Sequence, residues 1–340
     1  MTSVLASIAL LLLAPFNALL FLPGTQAVIS KPVVVDSQSE LQGDVKGAEK
    51  NRQDEQADAL FRQAPIQPMR KPSASNLVIP TAHSSIVLDV DSGTILQLDN
   101  AKEHRQIASL TKMMTAILVI EKVQNLDEVV TVDSDAVYTE GTRVGCPRSG
   151  YCITQRLKVG EKISVLNLLK AMLMNSANDA AIALGKHIGG TEEKFAEMMN
   201  EKARELDLKD THFCTASGLE PEGREAECYS TAYDIARIGA YSMKYELIWD
   251  IFRLPNNTEV KSVDGTCTHT ILNTDIVLKE IPQCLGGKTG FTPLAGRSLL
   301  IAASDETKKH KVIAVVLDDE SRWESVKRMI AWAFQSYEWR

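Results

Sequence analysis

The sequence has no surplus of positive charge: 37 Lys and Arg residues face 44 Asp and Glu, for a formal net charge of −7 over 340 residues. That balance removes any general electrostatic reason to bind nucleic acid or an anionic membrane surface. CxxC pairs and an HExxH sequence are missing too, which argues against a zinc site, and neither metal nor cofactor is expected. Without a GxSxG turn there is no strand-to-helix elbow of the kind Ser/His/Asp hydrolases use. His269, in THTILN, then reads as a hydrogen-bonded structural residue. No internal repeat is visible.

The opening stretch has no charge at all. It is apolar from Val4 to Leu22, no Lys or Arg precedes it, and the small residues Gly24, Thr25 and Ala27 follow. Residues 1–27 read as an export signal cut after Ala27 or as an uncleaved N-terminal anchor, with Pro15 and Asn17 weakening a spanning helix. Residues 28–75 are polar without a sustained apolar period, the composition of a disordered linker. The expected location is the periplasm or another extracytoplasmic part of the cell envelope. Six cysteines suit it, and their spacing suggests the sequential disulfides Cys146–Cys152, Cys214–Cys228 and Cys267–Cys284.

A globular pattern occupies residues 76–340. SSIVLDV and TILQLD alternate around DSG as a β-hairpin, and SLTKMMTAILVIE opens a helix. Helical spacing runs through SVLNLLKAMLMNSANDAAIALGKHI with a break at Asn175 to Asn178, then through GTEEKFAEMMNEKARELDL and TAYDIARIGAYSMKY, where Thr231 is the N-cap. SLLIAAS and HKVIAVVL read as strands, and SRWESVKRMIAWAFQSYEW as a last amphipathic helix. The pattern predicts one α+β domain, a mostly antiparallel sheet flanked by helices with a helical insertion.

Ser109 and Lys112 in SLTK are the only SxxK pair, and on a helix they share a face. A serine hydroxyl needs a base, and a lysine serves only if burial or a nearby cation lowers its pKa. A helix N-terminus at the serine adds backbone N–H groups for an oxyanion. Taken alone, such a lysine is an ordinary surface charge. Two further stretches change the reading: SAN at Ser176 to Asn178, at the break between helices, and the single KTG at Lys288 to Gly290. The order SxxK, SxN, KTG is the signature of penicillin-binding proteins and β-lactamases.

From about Ser84 to Trp339 the chain resembles the D-alanyl-D-alanine carboxypeptidases, the low-molecular-mass penicillin-binding proteins of serine peptidase family S11. IVLDVDSGTIL, THFCTASGLE, STAYDIARI and GGKTGFTPLAGRSLLIAA carry the likeness beyond the three motifs. The resemblance implies a β-lactamase/DD-peptidase-like transpeptidase fold. It implies Ser109 as acylated nucleophile, Lys112 as base, Ser176 as proton relay and Asn178 as a holder of substrate and Lys112. Lys288, Thr289 and Arg322 would bind the substrate's terminal carboxylate, and Gly290 would allow close approach. The backbone N–H groups of Ser109 and Phe291 would form the oxyanion hole. Implied partners are peptidoglycan stem peptides ending in D-Ala-D-Ala, with β-lactams as inhibitors.

Asp275 stands where the family usually has asparagine, and six cysteines are unusual for it. Many relatives continue into a β-rich domain and a C-terminal anchor, so any membrane attachment is expected at the N-terminus. A class A β-lactamase would need an ExxLN pattern after Asn178, and none occurs. A DD-endopeptidase or transpeptidase shares the acylation machinery, and a penicillin-binding sensor or scaffold without catalysis is the alternative of another class.

Overall fold

Strands that are apolar at every position need cover on both faces, and the central sheet has it. In the computed structural model, which describes residues 66–148 and 150–340, five strands form this sheet. They are β1 (Ala82–Asp89), β2 (Ile95–Asp99), β3 (Cys284–Thr292), β4 (Gly296–Ser304) and β5 (Lys311–Asp319). All pairings are antiparallel, in the order β2-β1-β5-β4-β3. Along β5, Ile313, Val315 and Leu317 enter a core beneath the helical block, while Val312, Ala314 and Val316 enter a second core with Val326, Met329 and Ile330 of the C-terminal helix. The period of two thus splits one hydrophobic run between two cores.

The longer helices are α1 (Lys112–Lys122), α2 (Val165–Met174), α3 (Asn178–Gly189), α4 (Glu192–Glu205), α5 (Ala232–Ser242), α6 (Glu246–Phe252) and α7 (Arg322–Ser336). Ser164, Thr191 and Thr231 cap α2, α4 and α5 by accepting the backbone N–H three residues on. Between α2 and α3 the chain turns through Ser176 at φ +59°, a left-handed conformation uncommon outside glycine and concentrated at functional sites. The hairpin, the broken helix pair and the last helix all stand where the pattern predicts them.

Two expectations are corrected. A short strand, Pro68–Arg70, lies inside the stretch read as linker and pairs with Tyr337–Trp339, so the ordered unit begins before Asn76. Three residues paired at long range carry no local period that sequence could reveal. The Cys146–Cys152 and Cys214–Cys228 bridges form, but Cys267 and Cys284 are free and buried. Cys267 faces Lys158 beside a small hairpin, Thr258–Lys261 with Thr268–Ile271, whereas Cys284 opens β3 in the second core near Asp275. That hairpin and α6 also went unread. The calls on residues 1–27 and on the linker up to residue 65 lie outside the described residues.

Candidate active site

Four segments bring the predicted residues to one cleft of about 440 Å³, lined among others by Ser109, Ser176, Asn178, Thr289, Gly290, Phe291 and Arg322. Ser109 sits in a single 3-10 turn, Ala108–Thr111, that runs into α1, so Lys112 is the first residue of the α-helix. Ser176 lies in the break and Asn178 opens α3. Lys288 to Phe291 belong to β3, at the sheet edge, and Arg322 opens α7. A β-carbon on Gly290 would come within 2.9 Å of the Ile107 carbonyl, so glycine lets β3 lie against the turn that carries Ser109.

Lys112 and Lys288 are both 0% exposed. Lys112 Nζ lies 2.7 Å from Ser109 Oγ, 2.7 Å from Asn178 Oδ1 and 2.5 Å from the Ser217 carbonyl. Burial first, then the charge of Lys288, hold its pKa well below the lysine range, with Asp179 pulling the other way. Lys288 donates to Ser176 Oγ at 2.8 Å and to the Thr289 carbonyl at 2.9 Å. Burial and the nearby Arg322 bring its pKa down to about 7. Arg322 donates to the carbonyls of Gly290 and Ser298 at 2.9 and 3.2 Å, and burial, then Arg297, lower its pKa to about 10.

Sequence reasoning missed several contributors. The Ser217 carbonyl is one, although TASGLE was singled out as a stretch. Thr274 is another, its hydroxyl 3.1 Å from that of Thr289. Asp179, directly after the SAN motif, accepts the Val144 N–H on both carboxylate oxygens at 3.0 and 3.1 Å, and burial raises its pKa to about 7. Asp275, noted as a departure, lines no part of the cleft. Its Oδ1 caps a short helix by accepting the Val277 N–H at 2.9 Å. His269 is buried between the Gln155 carbonyl and Glu161 at 2.8 and 2.7 Å, the structural role expected of it. Among the described residues, no cluster of three or more His, Cys, Asp or Glu could hold a metal ion.

A family model described as D-alanyl-D-alanine carboxypeptidase, Peptidase S11, matches residues 71–321. The chain belongs to the S11 peptidase family. Among curated S11 relatives it is 34% identical over 265 residues to the D-alanyl-D-alanine carboxypeptidase DacF of Bacillus subtilis, covering 76% of this chain and 63% of that protein. It is 32% identical to DacD of Escherichia coli, covering 75% and 64%. The chain thus spans less than two thirds of the length of these relatives. A D-alanyl-D-alanine endopeptidase of Pseudomonas aeruginosa is 31% identical, with 69% and 70% covered. Among solved structures, the D-alanyl-D-alanine carboxypeptidase of Mycobacterium tuberculosis superposes with a TM-score of 0.68 at 26% identity, covering 78% of this chain and 96% of that one. Penicillin-binding protein 6B of Escherichia coli gives 0.65 at 28%, covering 81% and 88%. The α+β architecture is therefore that of the DD-peptidases.

Proposed function

We propose that the protein is a serine-type D-alanyl-D-alanine carboxypeptidase, which removes the terminal D-alanine of peptidoglycan stem peptides through an acyl-enzyme on Ser109. β-Lactams would acylate the same serine. One observation carries this reading, the arrangement of acceptors around Lys112. A neutral amine has two N–H bonds and one lone pair. The Asn178 amide oxygen and the Ser217 carbonyl can only accept, so they take both N–H bonds and leave the lone pair to the Ser109 hydroxyl proton.

In the proposed reaction Ser109 Oγ attacks the carbonyl carbon between the two D-alanines as its proton moves to Lys112. The backbone N–H groups of Ser109 and Phe291 receive the oxyanion. Ser176, hydrogen-bonded to Lys288, relays the proton that Lys112 took to the departing D-alanine nitrogen, which leaves Lys112 neutral. Water then cleaves the ester with Lys112 again as base. The substrate backbone is expected to extend along the edge strand β3, which offers the unpaired groups that strand addition uses. Its terminal carboxylate would meet Thr289, Lys288 and Arg322.

The two disulfides favour an extracytoplasmic site of action, with the residues before 66 as export signal or anchor and tether. Among the described residues no helix is long and apolar enough to cross a membrane. The likeness to a protein named D-alanyl-D-alanine endopeptidase supports a second reading, in which the same acylation opens peptide cross-links. Incubation with diacetyl-L-Lys-D-Ala-D-Ala should release free D-alanine. Cleavage of cross-linked stem peptides without that release would favour the endopeptidase. Neither product, with no covalent penicillin adduct, would overturn both.

A further inference from the structure

We propose, resting on the carboxypeptidase reading, that Arg148 is a specificity-determining residue: it selects stem peptides whose side chain just before the D-Ala-D-Ala unit carries a free carboxylate. The cleft is lined by Arg148, Arg297 and Arg322 and by no Asp or Glu, with Lys288 behind it, so its occupant is anionic. Two of the three guanidinium groups are already engaged. Arg322 donates to the Gly290 and Ser298 carbonyls, and Arg297 pairs with Glu320 at 2.8 Å. The Arg148 side chain has no hydrogen bond or ion pair among the described residues. It also stands on the helical side of the cleft, in the segment tied to the SAN turn. A carboxylate that reaches it is a second one, distinct from the terminal carboxylate held along β3.

An exposed arginine on a loop is ordinarily just solvated, because ordering it costs entropy. Here the backbone share of that cost is met beforehand. The Cys146–Cys152 bridge spans Arg148, and the Tyr151 N–H donates to the Arg148 carbonyl at 3.0 Å. The base of the loop is tied to the break between α2 and α3. Thr142 Oγ1 donates to the Ser176 carbonyl at 2.6 Å, Asn175 Nδ2 to the Arg143 carbonyl at 2.8 Å, and the Val144 N–H to the Asp179 carboxylate. The guanidinium is therefore carried on a cross-linked support fixed to the segment that holds Ser176 and Asn178. A planar fork of donors facing an open cleft suits a carboxylate.

The test compares two tripeptides of equal size, Nα-acetyl-Nε-succinyl-L-Lys-D-Ala-D-Ala and its succinamoyl counterpart, which differ only in the side-chain carboxylate. D-Alanine release should give a kcat/KM ratio favouring the succinyl peptide by about fivefold, about 1 kcal/mol, falling as salt is raised. Arg148→Gln should bring the ratio to about one and Arg148→Glu should invert it, while Arg148→Lys keeps part of it. Because both peptides are assayed on one preparation, a loss of folded protein cancels from the ratio. Equal ratios in the native protein and Arg148→Gln overturn the Arg148 assignment and leave the carboxypeptidase reading intact. No D-alanine from either peptide overturns that reading, and the inference with it.

Discussion

The two walls of the cleft each bury a lysine completely and surround it differently. On the helical wall, Lys112 meets two acceptors that cannot donate and one hydroxyl that can. On the strand wall, Lys288 meets the Ser176 hydroxyl and the Thr289 carbonyl. An ammonium has three N–H bonds, so a charged Lys288 keeps one for an incoming anion. The buried Arg322 Nε beside that wall likewise has no partner among the described residues. Burial pushes both lysines down in pKa, so burial alone does not distinguish a base from a cation. The acceptors do: the helical wall is complete for a neutral amine, and the strand wall leaves one N–H of a charged Lys288 without an acceptor among the described residues.

The sharpest way to break this contrast is to remove what Lys112 acts on. Ser109→Ala should abolish covalent labelling by a fluorescent penicillin and lower kcat/KM on D-Ala-D-Ala peptides by about 10⁴-fold or more. Residual labelling of that variant at another residue would remove Ser109 from the nucleophile's place. Next comes the same exchange made on each wall in turn. Lys112→Arg keeps a cation but cannot supply a neutral amine, and should reduce the acylation rate by about 10³-fold or more. Lys288→Arg keeps the charge that this wall requires, and should reduce it by only about tenfold. Equal losses at the two positions in stopped-flow acylation would erase the distinction.

The pH profile gives a milder version of the same comparison. Lys288 sheds its proton as pH rises through about 7, so substrate capture should weaken on the alkaline side. Lys112 gains a proton as pH falls, which gives the acid limb, and the two apparent values belong to the coupled pair. Lys288→Arg should flatten the alkaline limb of kcat/KM while leaving the acid limb in place. Linkage adds a stability effect. The unfolded chain holds the Lys288 proton up to about pH 10.5 and the folded protein only to about 7, so folding stability from this group rises with pH across that window. A flat urea-denaturation profile between those values would contradict the buried, depressed lysine.

Much of this was legible in sequence because the residues involved are locally coded. SLTK and SAN sit at element boundaries that propensity marks, the start of α1 and the break before α3, whereas KTG lies inside the edge strand β3 and is found as a motif. Four strands of the central sheet, β1, β2, β4 and β5, were readable from their apolar runs, and Thr231 from its capping position, whereas the glycine-rich β3 has no such run. The remainder depends on distance in space. The Ser217 carbonyl reaches Lys112 as a backbone atom, so side-chain identity does not announce it. Asp179 reads as a polar residue in the first turn of a helix, and only the loop folded over it supplies the Val144 N–H. The third disulfide failed because sequence spacing cannot tell that Cys267 and Cys284 lie beside different groups in different surroundings.

That failed pairing yields the last and smallest contrast between the walls. The helical side is cross-linked, whereas β3 begins with a free thiol. Cys214→Ser should lower stability by about 3 kcal/mol, from the closure entropy of its loop, and the melting midpoint by roughly 5–10 °C. Cys284→Ser should cost less than about 1 kcal/mol, because a serine hydroxyl can donate to the Asp275 carboxylate that now faces the sulfur at 3.8 Å. Burial, reinforced by Asp275, pushes the Cys284 thiol well above its ordinary pKa, so it should resist thiol reagents in the native protein. Unfolding without reductant should then expose the thiols of Cys267 and Cys284 alone. A count of zero would mean that the strand wall is bridged as well, and the asymmetry between the two sides would be lost.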